Sequence, residues 1–212
     1  MQKQGLKGAL DLSGPEACLD YYRSWAATYD GGFARDMEYR LPGHVAAAFM
    51  GTGATGPVLD VGAGTGLVAE ELRGMGFSGV VDAVDFSAQM LELAAGKGIY
   101  RHLVQADITT PIALPRQYRG IVSSGTFTAG HVGPEALPNL LDLTLPDAQV
   151  ALSINRRVWT AAGFDRSLEA LVAAGRITTL HLIDVEIYGA AAREVDADHA
   201  SDRALIAMFR TV

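Results

Sequence analysis

Short apolar runs, several of them rich in β-branched residues, recur along this chain, and stretches of helical spacing lie between them. Val58-Leu59-Asp60-Val61 is the first such run and ends at glycines. Val80 to Asp85, Leu103 to Asp107, Gly120 to Ser124 and Gln149 to Ile154 follow it. Between them, Leu67 to Leu72 and Ala88 to Ala94 repeat apolar residues three and four positions apart, the spacing of one helix face. Strand and helix in alternation predict βαβ units. The expected fold is therefore α/β, a three-layer sandwich with a mostly parallel sheet and helices on both faces.

The two ends of the chain break this rhythm. Ile177 to Tyr188 is rich in β-branched residues and Ala204 to Arg210 is again apolar, with only the polar loop around Asp196 to Asp202 between them. Two strands joined without a crossover helix are expected to pair antiparallel. Upstream, Pro15 to Ala27 reads as a helix with Leu19, Tyr22 and Ala26 on one face, ended by Asp30-Gly31-Gly32. A second short helix is expected from about His44 to Met50. Residues 1–50 thus read as a helical cap over one sheet edge and 56–212 as the core, within a single domain spanning 1–212.

Composition narrows the partners. Of 212 residues, 49% are hydrophobic and 19% charged, enough apolar material for one substantial core. The formal net charge is −7 and the only adjacent basic pair is Arg156-Arg157, so no basic stripe exists to track a nucleic-acid backbone or an anionic lipid surface. Cys18 is the single cysteine, which excludes an intrachain disulfide. Met1 to Lys7 lacks the apolar stretch of a signal peptide, and no run of 18 apolar residues spans a membrane. These features point to a cytoplasmic protein and leave its oligomeric state open.

The candidate chemistry is concentrated in Asp60-Val61-Gly62-Ala63-Gly64-Thr65-Gly66-Leu67, a strand that runs into alternating glycines and then a helix. Glycines let backbone approach a ligand closely, and a helix N-terminus favours carboxylate or phosphate. A dinucleotide fingerprint needs its third glycine at the position Leu67 occupies, and Asp60 would repel a pyrophosphate. A carboxylate there suits a ligand carrying an ammonium group, which favours S-adenosylmethionine over a nicotinamide cofactor. Asp85 ends the second strand and offers two acceptor oxygens to ribose hydroxyls. Asp107 ends the third and could accept from the adenine amine while Ile108 packs on the ring. Each Asp alone is equally a turn former or helix cap. Together, at successive strand ends, they define one crevice.

In these residues the chain resembles the class I S-adenosylmethionine-dependent methyltransferases. Leu59 to Gly66 is similar to their first motif, Val84-Asp85-Phe86-Ser87-Ala88-Gln89-Met90-Leu91 to their second, and Ala106-Asp107 to their adenine-contacting one. The resemblance implies a Rossmann-like core, a seven-stranded sheet closed by an antiparallel hairpin, and cofactor contacts at Asp60, Gly62, Ala63, Gly64, Gly66, Asp85, Phe86, Asp107, Ile108 and Ser124. More narrowly, Ser124 to Leu137 resembles the Williams–Beuren-region methyltransferase-like proteins. The chain departs from the wider pattern at Gly120, where Asp commonly opens the fourth strand, and at Asp147, where glycine is usual; both read as local structural substitutions.

The acceptor is expected beyond the fourth strand. No Asn/Asp-Pro-Pro-Tyr/Phe stands there to hold a planar amine, which disfavours adenine in DNA or glutamine as acceptor. His131 is the candidate catalytic residue, as a base or substrate contact, or else a loop histidine capping the helix that starts near Pro134. Among Tyr21, Tyr22, Trp25 and Tyr29, Tyr21 and Tyr29 are candidate cofactor contacts and the others core. Asn155, Arg156 and Trp159 could line the acceptor pocket. The remaining histidines, His44, His102, His181 and His199, show no metal-ligand spacing. The expected activity is direct in-line methyl transfer to a small-molecule acceptor, the alternatives being a non-catalytic S-adenosylmethionine-binding protein or a nicotinamide-linked oxidoreductase.

Overall fold

The computed structural model describes residues 29–212. β1 (Val58–Val61), β2 (Val81–Asp85), β3 (Leu103–Gln105), β4 (Tyr118–Phe127), β5 (Thr144–Asn155), β6 (His181–Glu186) and β7 (Arg203–Arg210) form one sheet in the order β3-β2-β1-β4-β5-β7-β6. The first five strands run parallel, and β7 pairs antiparallel with both β5 and β6. This is the Rossmann-like, mostly parallel sheet with a terminal antiparallel hairpin that the sequence predicts. One detail differs. The β6–β7 connection carries a short helix, α7 (Ala192–Val195), where the sequence reads as loop alone.

Alternation along each strand assigns the two faces. Leu59, Val61, Ile121, Val150, Leu152, Ile154 and Phe209 point to one core, which α4 (Leu137–Leu141) and α6 (Phe164–Ala173) cover. Val58, Val122, Ala151 and Ile206 point to the other, covered by α1 (Leu41–Met50) and α2 (Leu67–Gly74). α3 (Ala88–Gly96) follows β2, and α5 (Arg156–Trp159) follows β5.

α1 begins at Leu41, earlier than the sequence suggests, and packs on β4, β5 and α2 in the middle of the sheet rather than over an edge. Its Val45, Ala46 and Phe49 are fully buried. The Phe49 ring explains Gly120: a Cβ at that position would fall 2.5 Å from the ring. Asp147, the second departure, adopts φ +63°, a left-handed conformation that glycine tolerates best and that aspartate can also visit. Both substitutions are thus local backbone and packing matters. Within β2 the buried Asp82 accepts from Arg101 through both oxygens, at 3.0 and 2.6 Å, and from the Tyr118 hydroxyl at 3.0 Å, tying β2 to β4 and to the start of β3.

The predicted helix over Pro15 to Ala27, with Cys18, Tyr21, Tyr22 and Trp25, lies outside the described residues. Tyr29 opens a π-helical turn, Tyr29–Ala34, but its side chain also lies outside them. Among the described residues, no helix is long and apolar enough to cross a membrane.

Candidate functional site

The strand order reverses between β1 and β4, and in open α/β sheets such a switch point leaves a crevice at the carboxyl ends of the strands. Pairing of β1 with β4 runs only as far as Asp60 opposite Val122. Beyond it the strands part, and the hydroxyls of Ser123 and Thr126 donate to the Val61 carbonyl at 2.7 and 3.1 Å. Above this seam opens a cavity of about 220 Å³. Gly62, Ala63 and Gly64 follow β1 into its wall, Asp85 and Phe86 come from the end of β2, Asp107 and Ile108 from beyond β3, and Ser124 from β4. His131 and Val132 close another side.

The three glycines of the loop do different things. All have positive φ: +62°, +55° and +93° at Gly62, Gly64 and Gly66. A Cβ on Gly62 would collide with the Thr126 hydroxyl, and one on Gly66 would meet the Tyr100 ring at 3.0 Å. Of the three, Gly64 alone faces open space among the described residues, with none of their atoms within 4 Å of where its Cβ would be. Gly62 and Gly66 therefore serve packing of the protein on itself, and Gly64 leaves room for a ligand.

Asp85 ties the loop to the next helix. Its Oδ2 accepts from Gly64 N–H and its Oδ1 from Ser87 N–H, both at 2.8 Å, while the Ser87 hydroxyl caps α3 by accepting from Met90 N–H. Burial pushes the Asp85 carboxyl up, and backbone donors from Ser87, Gly64 and Phe86 oppose this. Each oxygen keeps acceptor capacity beyond the bonds it makes. Asp107 holds a tight turn, its Oδ1 accepting from Thr109 N–H at 2.9 Å and Thr109 Oγ1 at 2.7 Å. Ile108 is 5% exposed at the cavity wall, and Asn139 donates to its carbonyl.

Asp60 is placed differently from the expectation of direct contact. It is fully buried and stands beneath the glycine loop rather than on the cavity wall; strand alternation turns it to the Val58 face. Its Oδ2 accepts from the Tyr100 hydroxyl at 2.6 Å, and its Oδ1 has no hydrogen-bond partner among the described residues. Burial pushes its carboxyl up to about 7, with the Tyr100 hydrogen bond opposing and the Asp85 charge adding to the rise. Gly66 likewise lies behind the cavity, for the Tyr100 reason given above.

His131 lines the cavity with Nδ1 2.9 Å from the Ala129 carbonyl, so a neutral ring carries its proton on Nδ1. Burial lowers its pKa, against the opposing pull of the Ala129 carbonyl. The helix-capping alternative is not what it does: the turn at Pro134–Ala136 starts from Gly133 without a side-chain cap. Asn155, Arg156 and Trp159 are not brought into the cavity. Asn155 caps α5 by accepting from Arg157 N–H, Arg156 pairs with Asp184, and Trp159 packs on the core.

Sequence reasoning missed Tyr39, Thr126 and Tyr100. Tyr39 lines the cavity, its hydroxyl 3.3 Å from Ser124 Oγ and its ring 5.9 and 5.8 Å from those of Phe33 and Tyr188. Burial pushes its hydroxyl up to about 12, so it stays protonated. It follows the irregular Glu38 (φ +46°) just before α1, where no periodicity marks it. A rule that alternating glycines need close neighbours would have prompted a search for Thr126 and Tyr100, without naming them.

Comparison with known proteins agrees with this geometry. Residues 58–145 match the family described as a methyltransferase domain. In fold the chain is similar to a putative S-adenosyl-L-methionine-dependent methyltransferase from Methanococcus maripaludis (TM-score 0.61, 16% identity, covering 91% of this chain and 93% of that one). It is also similar to a solved complex between the Haloferax volcanii Trm112 methyltransferase activator and a putative methyltransferase (TM-score 0.60, 15% identity, 91% and 96%). Over residues 58–145 the chain thus matches a methyltransferase domain, and its fold is similar to those of solved proteins described as S-adenosylmethionine-dependent methyltransferases. A curated relative is methyltransferase-like protein 27 from Homo sapiens, 34% identical over 142 residues. That match covers 64% of this chain and 56% of the human protein, so the chain spans little more than half of its relative's length.

Proposed function

We propose that the chain binds S-adenosylmethionine in the cavity at the switch point and transfers its methyl group to a small-molecule acceptor, as a single domain with residues 56–212 as its core and 1–50 as its N-terminal part. The observation that carries this is the convergence on one cavity of an open-faced Gly64, the Asp85 carboxylate and the Asp107-Ile108 pair. The cofactor supplies an activated methyl on sulfur, and the residues of the chain bind, orient and manage protons. Gly62 to Gly64 take the methionine end, with the buried Asp60 beneath them lending a negative field for its ammonium. The spare acceptor capacity of Asp85 suits the ribose diol, whereas Asp107 suits the adenine amine and Ile108 its ring, with Phe86 at the cavity rim.

Tyr39, Pro42 and Val132 add uncharged surface around the mouth, which supports a small, neutral acceptor. His131 acts there as the proton acceptor. Its lowered pKa keeps it neutral near pH 7, and Nε2 is then the basic nitrogen. Alignment of acceptor and methyl contributes roughly 7–11 kcal/mol, and a general base about 10²–10⁴-fold in addition. A cytoplasmic location completes the proposal, in keeping with a lone cysteine, Cys18.

The test pairs binding with turnover. Calorimetry with S-adenosylhomocysteine on wild type and Asp85→Ala should show at least a tenfold loss in the variant, as expected for removal of charged acceptors. Methyl-labelled cofactor incubated with a fractionated metabolite extract should label a small product. Wild type that retains no S-adenosylhomocysteine at millimolar levels, or an Asp85→Ala variant that binds normally, would refute the proposal. Label found only in protein or only in unreacted cofactor would refute its acceptor.

A further inference from the structure

Tyr100 lies between α3 and β3, in a connection that no motif singles out, yet it touches the glycine loop twice. Its hydroxyl donates to Asp60 Oδ2 at 2.6 Å, and its ring fills the space behind Gly66. The segment around it is pinned independently. Arg101 grips Asp82, and Arg73 donates to the Ile99 carbonyl at 3.1 Å as well as to those of Phe77 and Gly79 at 2.7 Å. A fixed tyrosine thus reaches a buried carboxylate whose other oxygen is unpartnered among the described residues, two residues before the loop turns at Gly62.

We propose that Tyr100 is a positioning residue for the cofactor, holding the Asp60 carboxylate beneath the glycine loop and buttressing Gly66 so that the loop keeps the shape that takes the methionine end. This rests on the reading of that loop as the S-adenosylmethionine site. The charged and titratable groups facing the pair are Asp85, which raises the Asp60 carboxyl, and Glu70, which faces Tyr100 and is engaged by Lys97 at 2.5 Å. Burial and the neighbouring carboxylates push the Tyr100 hydroxyl up, so it remains a donor at every working pH. A ligand ammonium favours ionised Asp60, so binding strengthens as pH rises through the Asp60 pKa. Loss of the Tyr100 hydroxyl raises that pKa and moves the midpoint to higher pH.

The experiment is calorimetric titration with S-adenosylhomocysteine between pH 6 and 9 on wild type, Tyr100→Phe, Asp60→Asn and the double variant, with melting temperatures on the same samples. Tyr100→Phe keeps the ring and should bind about tenfold more weakly at pH 7, with its midpoint displaced upward. In the Asp60→Asn background the same change should alter affinity less than twofold, since Tyr100 acts through Asp60. Wild-type affinity and midpoint in Tyr100→Phe would overturn the proposal. So would an equal loss in the Asp60→Asn background, the signature of a scaffold role. Should Tyr100→Phe not fold, Asp60→Asn alone decides: a wild-type midpoint persisting there overturns the proposal. Failure of wild type to bind at any pH would instead remove the reading of the loop on which it rests.

Discussion

At the residue scale, the glycine loop separates folding from ligand binding. Gly62→Ala would drive a methyl into the Thr126 hydroxyl while also straining a backbone at φ +62°, so it should destabilise the protein by about 1–3 kcal/mol, with Thr126→Ala, which removes that hydroxyl, restoring part of this. Gly64→Ala meets no atom of the described residues and should cost only about 1 kcal/mol of stability, yet it should weaken S-adenosylhomocysteine binding at least tenfold. Denaturant midpoints and calorimetry on the two variants check this crossover. Asp60 carries a different signature. Its folded pKa lies above the unfolded one, so its contribution to stability is complete below about pH 4 and is lost as pH rises through about 7. Asp60→Asn should therefore gain on wild type progressively across that window, by up to about 4 kcal/mol, and run parallel to it above. A wild-type slope retained in the variant would assign the titration to another group.

At the scale of elements, what was legible depended on whether a segment obeys a period. β1, β2 and β7 are legible to within a residue of their limits because their apolar runs stop at glycine or charge, and helices α2 and α3 to within two residues at their C-terminal ends because their apolar faces repeat. β4 and β5 were read too short. β4 continues through Ser124-Gly125-Thr126 to Phe127, a polar stretch that pairs across a register shift, and β5 begins at Thr144, before the left-handed Asp147. The acidic strand ends and the glycines were legible because they sit where strand becomes turn. Tyr39 and Tyr100 were not, because each reaches the site from an irregular segment that only the tertiary fold brings near. α1 shows the same limit: its start and its place on the sheet depend on Phe49 finding Gly120. That pairing is testable. Gly120→Ala should cost about 1–3 kcal/mol through overpacking against the ring, lowering the melting temperature by roughly 2–12 °C. Gly120→Ala combined with Phe49→Leu should recover part of the loss, and additive costs in the double variant would break the link between the two positions.

At the scale of the whole molecule, the cavity lies at the seam between two halves of the sheet. β3, β2 and β1 contribute Asp107, Asp85 and the glycine loop, and β4 contributes Ser124, with the seam itself held by Ser123 and Thr126 on the Val61 carbonyl. A ligand held by both halves binds only the assembled sheet, because no unfolded or half-open chain presents these groups together. Its binding energy is then added to global stability as RT ln(1 + [L]/Kd), about 2.7 kcal/mol at a hundredfold excess over Kd. For a chain of 212 residues this corresponds to a rise in melting temperature of roughly 5–11 °C with S-adenosylhomocysteine. Asp85→Ala at the same ligand concentration should lose about half of that rise, since its tenfold weaker binding leaves the ratio near ten. Gly120→Ala should keep all of it from a lower starting temperature, because Phe49 lies beneath the sheet and not in the cavity. An equal ligand-induced shift in wild type and Asp85→Ala would mean that the nucleoside binds somewhere other than the switch point.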